Sequence, residues 1–228
     1  MSEYMRGVHS PRLVELAGPA GAGKSATRRA LMARTHLQQG MIWGLPAGSL
    51  LWHGVRSTPG FIPLWLAARR PLWDETRHMV RLRTLREALL NRLPQQSALV
   101  FDEGPVFALA WLRGFGHPVM RQAASEAWWE TACEEWARMM DLVIVLDASD
   151  EVLARRIRNR PEDHEIKQAS DAEIARWMAR FRQSLDWVLE RLRVAPGLTV
   201  LRLDTGTESP EQLAEQTAAA LDGNVYAG

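Results

Sequence analysis

Residues 13 to 32 read LVELAGPAGAGKSATRRALM: a short apolar run, a stretch of bare glycine and alanine, then Gly-Lys-Ser and a helix-like pattern. Gly18-Pro19-Ala20-Gly21-Ala22-Gly23-Lys24-Ser25 fits G-x-x-x-x-G-K-[ST], and the motif requires a strand before it and a helix after it. Both are present in the pattern, with a strand over 12–17 and a helix over 24–38. Four fixed positions would match by accident in about one chain in a hundred of this length. The flanking strand and helix make accident rarer still. A loop that wraps a triphosphate turns its backbone N–H groups inward, which needs glycine at unusual dihedral angles and few side chains in the way. The helix behind it adds a positive end. Gly18 through Ser25 and Ala26 are therefore the nucleotide-binding residues, with Lys24 reaching the β- and γ-phosphates and Ser25 a ligand of the accompanying Mg²⁺.

Composition agrees. The chain has 228 residues, 46% hydrophobic and 24% charged, which suits one domain with one substantial core, over 1–228. The formal charge of +1 is spread along the sequence and gives no case for a nucleic-acid partner. Lys24 and Lys167 are the only lysines among 28 basic residues, so Lys24 stands where arginine was not used. Cys133 cannot form an internal disulfide and reads as packing. The amino terminus lacks the pattern of a secretory leader, and no apolar stretch is long enough to span a bilayer. The expectation is a cytoplasmic protein without stable membrane insertion.

Beyond the glycine stretch, short apolar runs alternate with longer periodic segments, the signature of a parallel sheet with crossover helices. Strands are expected at 40–45, 97–102, 142–147 and 198–204. Helices are expected from Asp74 to the residue before Pro94, over 119–140, 150–159 and 170–192, and from Ser209 onward, where Ser-Pro-Glu reads as a cap and first turn. Between residues 50 and 73 the pattern dissolves into glycine, proline and tryptophan, and 104–118 is likewise broken. The fold class is α/β, a three-layer sandwich.

Two further signals concern chemistry. The strand LVFD ends at Asp102-Glu103, and in such sheets the ligand crevice lies beyond the carboxyl ends of the strands. Asp102 is thus placed to serve magnesium or an attacking hydroxyl. Alone, it would read as a solvated acidic turn. Arg155, Arg156, Arg158 and Arg160 crowd the segment after the strand that ends at Asp147, with Arg156 and Arg160 sharing a helix face. Their charge suits a transferred phosphoryl group, although on pattern alone they are an exposed helix face.

Together GPAGAGKS, VFDEG and LDASDEVLARRIRNRPED resemble the P-loop kinases of the nucleoside and nucleoside monophosphate kinase superfamily, and LRLDTGTESPEQLAEQTAAAL is similar to that family's last strand and helix. The resemblance covers most of the chain. It implies a P-loop NTPase fold, a five-stranded parallel sheet of order 2-3-1-4-5 flanked by helices, with ATP and Mg²⁺. It also implies Lys24, Asp102, Arg156 and Arg160 as catalytic residues, Ser25 and Asp102 for metal, and an arginine-rich lid over 150–170. Glu103 departs from the arginine that relatives carry there, which disfavours a nucleoside monophosphate acceptor, because a carboxylate repels a phosphate monoester. The resemblance makes 46–80 the acceptor segment, with Trp52, Arg56, Trp65 and Arg69 beside Glu103 as substrate residues; Trp43, His53, Arg70 and Trp73 occur in the same region. Tryptophan is also ordinary core, and GFIPLWLAARRPLW could instead meet a membrane interface.

The reading these signals support is a kinase that phosphorylates a hydroxyl of a small molecule such as a nucleoside or sugar. The alternatives are a P-loop ATPase with Glu103 polarising water and, further off, a nucleoside monophosphate kinase. A homodimer is left open.

Overall fold

The computed structural model describes residues 13–42, 44–92, 98–161, 164–193 and 197–221. Five parallel strands form one sheet in the order β2-β3-β1-β4-β5: β1 (Leu13–Ala17), β2 (Gln38–Gln39), β3 (Leu99–Phe101), β4 (Leu142–Asp147) and β5 (Thr199–Asp204). Registers are simple. Leu13 pairs with Leu99 and Val14 with Leu142, while β4 and β5 pair from Leu142 with Thr199 to Asp147 with Asp204.

Period-two alternation divides the core into two layers. On one face Leu13, Ala17, Phe101, Val143 and Val145 pack under α2 (Ala47–Ala68), α3 (Trp73–Arg92), α4 (Pro105–Phe115), α5 (Glu126–Ala137) and much of α7 (Asp171–Leu192). On the other, Val14, Leu16, Val100, Ile144 and Leu146 pack with α1 (Lys24–Arg34), α6 (Asp150–Arg158) and α8 (Pro210–Leu221). Glu15 lies between Leu13 and Ala17 in β1, on the α4 side, and is fully buried.

Several boundaries differ from expectation. The first helix stops at Arg34 rather than 38, because Gln38 and Gln39 pair with β3. They are the second strand; the apolar run 40–45 is not. Gly40 still donates to Val100 O, but a Cβ there would meet the Phe101 ring at 2.3 Å, and the chain turns away. Trp43 lies outside the described residues, as do Arg12, Leu93 and Ser97 at the expected element ends.

The helix expected from 119 begins at Glu126, after short 3₁₀ turns at Pro118–Arg121 and Ala123–Ser125 held by Trp129 Nε1 donating to Met120 O at 2.8 Å. Two segments read as broken are helices. α2 contains Pro59 and Pro63 yet buries His53, Ser57, Phe61 and Leu64 along one face, so tertiary burial overrides a poor local propensity. α4 starts at Pro105, whose missing N–H costs nothing in a first turn. Its Gly114 lets α7 approach, since a Cβ would lie 2.8 Å from Ser184 Oγ. The helices expected at 150–159 and 170–192 form as α6 and α7; Ser149 caps α6, and Ser170 with Glu173 forms a capping box on α7. Cys133 is buried in α5, and burial pushes its thiol up to about 11.

Candidate active site

The loop from Gly18 to Gly23 leaves β1 with three glycines at positive φ, Gly18 at 147°, Gly21 at 80° and Gly23 at 82°. Their constraints differ. A Cβ on Gly18 would stand 2.1 Å from Leu146 O, whereas one on Gly23 would meet nothing within 4 Å. Gly18→Ala is therefore expected to destabilise by about 2–4 kcal/mol through clash and strain together, and Gly23→Ala by about 1–2 kcal/mol through strain alone. Urea unfolding of both variants checks the order; equal losses would mean that Leu146 yields freely.

Gly23 is the N-cap of α1, with no side chain bonded to the helix end and no acidic residue in the first turn. The first amides of α1 and the helix dipole are thus left to whatever enters from the loop side. Lys24 Nζ folds back onto Gly18 O at 2.8 Å and Pro19 O at 2.9 Å. Burial pushes its pKa down to about 8, although Glu103 and Asp102 pull it up.

A cleft of about 710 Å³ opens here, with Lys24, Ser25, Glu103, Arg156, Arg160 and Thr205 in its wall. Gly21, Gly23 and Ala26 line it as well, while Gly18, Pro19, Ala20 and Ala22 are buried behind. Ser25 is exposed. Five of the expected loop residues, Gly21, Gly23, Lys24, Ser25 and Ala26, thus share one cavity with Glu103 and both expected lid arginines.

Asp102 follows directly on β3. Its Oδ2 lies 3.1 Å from Arg28 Nε, an ion pair between two largely buried side chains. Arg28 was not singled out in the sequence, yet it lies one helical turn beyond Lys24 on α1. Glu103, one residue on, is exposed in the cleft.

Behind this pair stands Glu15, also unforeseen. Its Oε1 accepts from Gly104 N at 3.2 Å and Phe107 N at 2.7 Å, and its Oε2 from Val106 N at 2.8 Å. Pro105 has no N–H, so one carboxylate takes the N-cap and first-turn amides of α4. Burial pushes Glu15 up to about 7 against those three amides and Lys24, which pull it down. A Cβ on Gly104 would stand 2.7 Å from Glu15 Oε2, so glycine is required for the carboxylate to fit. The available signal was an acid at the centre of an apolar strand.

The arginines of the segment expected to form a lid separate by partner. Arg156 donates to Thr205 Oγ1 at 2.9 Å, Thr205 O at 2.6 Å and Gly21 O at 3.4 Å, tying the phosphate loop to the turn after β5. Arg160 is in the cleft wall, its carbonyl accepting from Lys167 Nζ at 2.6 Å. Arg158 pairs instead with Asp171 at 2.5 Å, and Arg155 is exposed. Arg182, another residue not foreseen, grips Asp147 through Nε at 2.7 Å and Nη2 at 3.0 Å.

None of Trp52, Arg56, Trp65 and Arg69 lines the cleft that holds Lys24. Trp52 and Arg56 are exposed on α2, Trp65 donates to Thr76 Oγ1 at 3.2 Å, and Arg69 ends α2 with φ 55°. The aromatic groups near Lys24 come from α4 and α7. Phe107 lies 5.8 Å from Lys24 Nζ, Phe181 5.8 Å beyond it, and Trp177 stacks on both Phe181 and Phe115. His164 meets Trp177 edge-on at 5.7 Å; burial lowers its pKa, and Arg160 and Lys24 add to that effect.

The fold is shared with solved kinases. A thymidylate kinase from Candida albicans superposes with a TM-score of 0.57 at 16% identity, over 95% of this chain and 94% of that one. Deoxyadenosine kinase from M. mycoides with bound dATP gives 0.52 at 14% identity, over 92% of this chain and 99% of that one. No curated protein matches the sequence. The family described as the AAA domain matches residues 14–176, most of the chain including the phosphate loop, β3 and the arginine-bearing α6, and the chain belongs to that family.

Proposed function

We propose that this protein is an ATP-dependent phosphotransferase that moves the γ-phosphate to a hydroxyl of a small molecule. The observation that carries the reading is the cleft in which Lys24, the uncapped start of α1, Arg160 and Glu103 converge, with Asp102 next to it on Arg28. The loop amides and Lys24 bind the triphosphate, with the ammonium leaving Gly18 O and Pro19 O for phosphate oxygens. Ser25 is a hard oxygen donor suited to magnesium and would hold it, with the Asp102 carboxylate within the same site accepting from a water on the ion. When bound, that ion neutralises charge on the phosphates. Asp102, steadied by Arg28, orients the acceptor hydroxyl and takes its proton. Arg160 meets the negative charge spread over the transferred group. Arg156 fixes the turn at Thr205 against the phosphate loop. Residues 150–170 act as the lid.

The acceptor enters from the Phe107 side of Lys24, where Phe107, backed by the buried Phe181, supplies flat apolar surface. Glu103 in the cleft wall selects against a phosphate monoester and for a neutral or cationic acceptor. The same exposed Glu103 favours one second reading, an ATPase in which it polarises water.

ADP production from ATP and magnesium, measured alone and with a panel of nucleosides, sugars and amino alcohols, separates the two. Acceleration by one acceptor class, with phosphate recovered on the acceptor, is expected. Rapid hydrolysis indifferent to every acceptor would assign the ATPase.

A further inference from the structure

α2 has two apolar faces. His53, Ser57, Phe61 and Leu64 are buried on one. Leu51, Val55, Ile62 and Leu66 recur at four, seven and four residues on the other, between 45% and 73% exposed, with Trp52 and Trp73 beside them at 62% and 70%. Single exposed apolar residues are ordinary; a stripe along a helix of 22 residues, about 33 Å, is a contact surface.

Charge selects what it contacts. No Asp or Glu occurs from residue 16 to residue 73. Arg56, Arg69 and Arg70 are exposed on and just beyond α2, whose first turn has no acid to offset its positive end. Asp74, next to Trp73, is the nearest exposed carboxylate in sequence. A second copy laid antiparallel would set Arg69 and Arg70 against the positive start of its α2. A parallel copy would set them against the same arginines. Neither sets a carboxylate of α2 against them, whereas anionic lipid headgroups supply a sheet of negative charge above an apolar layer. Tryptophan favours that boundary, and arginine keeps its head in the phosphate layer while its stem lies along the apolar one.

We propose that the outer face of α2 docks the protein on the surface of an anionic lipid bilayer, Leu51, Val55, Ile62 and Leu66 entering the acyl boundary while Arg56, Arg69 and Arg70 meet the headgroups. The contact is peripheral, for among the described residues no helix is long and apolar enough to cross a membrane.

The test is co-sedimentation of the full chain with vesicles of phosphatidylcholine plus phosphatidylserine, against phosphatidylcholine alone, without nucleotide. Three arginines near the surface predict a preference for the anionic vesicles of about a hundredfold, weakened by salt. Arg70→Ala should reduce that preference about fivefold. Leu51→Ser/Val55→Ser/Leu66→Ser should abolish binding at an unchanged melting temperature. Should the triple variant misfold, the single arginine variant and the salt series carry the same decision. No binding to either vesicle, or equal binding to both, overturns the proposal. So does a solution dimer that the triple variant makes monomeric, which would give this face to a second copy. No nucleotide chemistry enters the readout, so failure here leaves the phosphotransferase reading standing.

Discussion

Glu15→Ala is expected to lower the unfolding free energy by about 4 kcal/mol and to cut catalysis with it. The carboxylate is fully buried and accepts from three amides at 2.7 to 3.2 Å. Alanine leaves Gly104, Val106 and Phe107 N–H groups buried without that acceptor, at about 1–3 kcal/mol each before relaxation, and opens a cavity besides. The damage falls on the N-cap of α4, Gly104, two residues past Asp102. Glu15→Gln separates charge from shape. Its amide oxygen still accepts, but its NH₂ faces amide donors, so a smaller loss follows. In the wild type, burial raises the folded pKa to about 7 from an ordinary 4.5, so the folded state holds the proton more tightly than the unfolded one. Stability from this group is complete below the unfolded pKa and is lost as pH rises through 7, on the order of 3 kcal/mol in all. Urea midpoints from about pH 5 to about pH 8 should therefore fall in the wild type relative to Glu15→Gln, which has nothing there to titrate. An alanine variant within about 1 kcal/mol of wild type would mean that α4 finds its cap elsewhere.

Why Glu15 escaped the sequence reading is the same reason α4 did. An N-cap is normally sought one residue before the helix, and Gly104 offers no side chain. The capping group comes from a strand 89 residues earlier, a relation no local pattern encodes. α2 was hidden differently: two prolines and three glycines lower its propensity, and only burial of Phe61 and Leu64 under the assembled core makes the helix the best answer. β2 is two exposed glutamines, strand by virtue of its partner and not its composition. By contrast, β1, the phosphate loop and α1 were legible because a run of buried residues, then glycines, then a lysine-led helix are all local choices. α6 and α7 were legible from their periodicity, and the structure adds the caps, Ser149 and Ser170. The candidate site divides along the same line. The positions of Lys24 and Ser25 after the loop follow from motif spacing and that of Asp102 from the end of an apolar strand; Arg28 on Asp102, Thr205 on Arg156 and the rank from Phe107 to Trp177 arise from contacts between distant segments.

Asp102→Asn should lower phosphoryl transfer by about 10³-fold while changing ATP affinity by less than about threefold. Asparagine keeps the shape and one acceptor for Arg28, so the end of β3 and the phosphate loop stay in place. What disappears is the negative charge that takes a proton from the acceptor. A solely structural Asp102 would predict something else: ATP binding and transfer falling together, along with the melting temperature, and Arg28→Met reproducing all three. Glu103→Gln completes the contrast, because it changes only a side chain exposed in the cleft. In a phosphotransferase it removes repulsion from the acceptor side and should leave transfer to a neutral alcohol within a few-fold, while improving the affinity of a phosphorylated analogue. In an ATPase it removes the group that polarises water and should cut hydrolysis by about 10²-fold or more. Two neighbouring carboxylates, one paired with Arg28 and one facing the cleft, are thereby assigned separate tasks by two isosteric changes. Transfer lost in the first variant and kept in the second is the pattern that a hydroxyl acceptor requires.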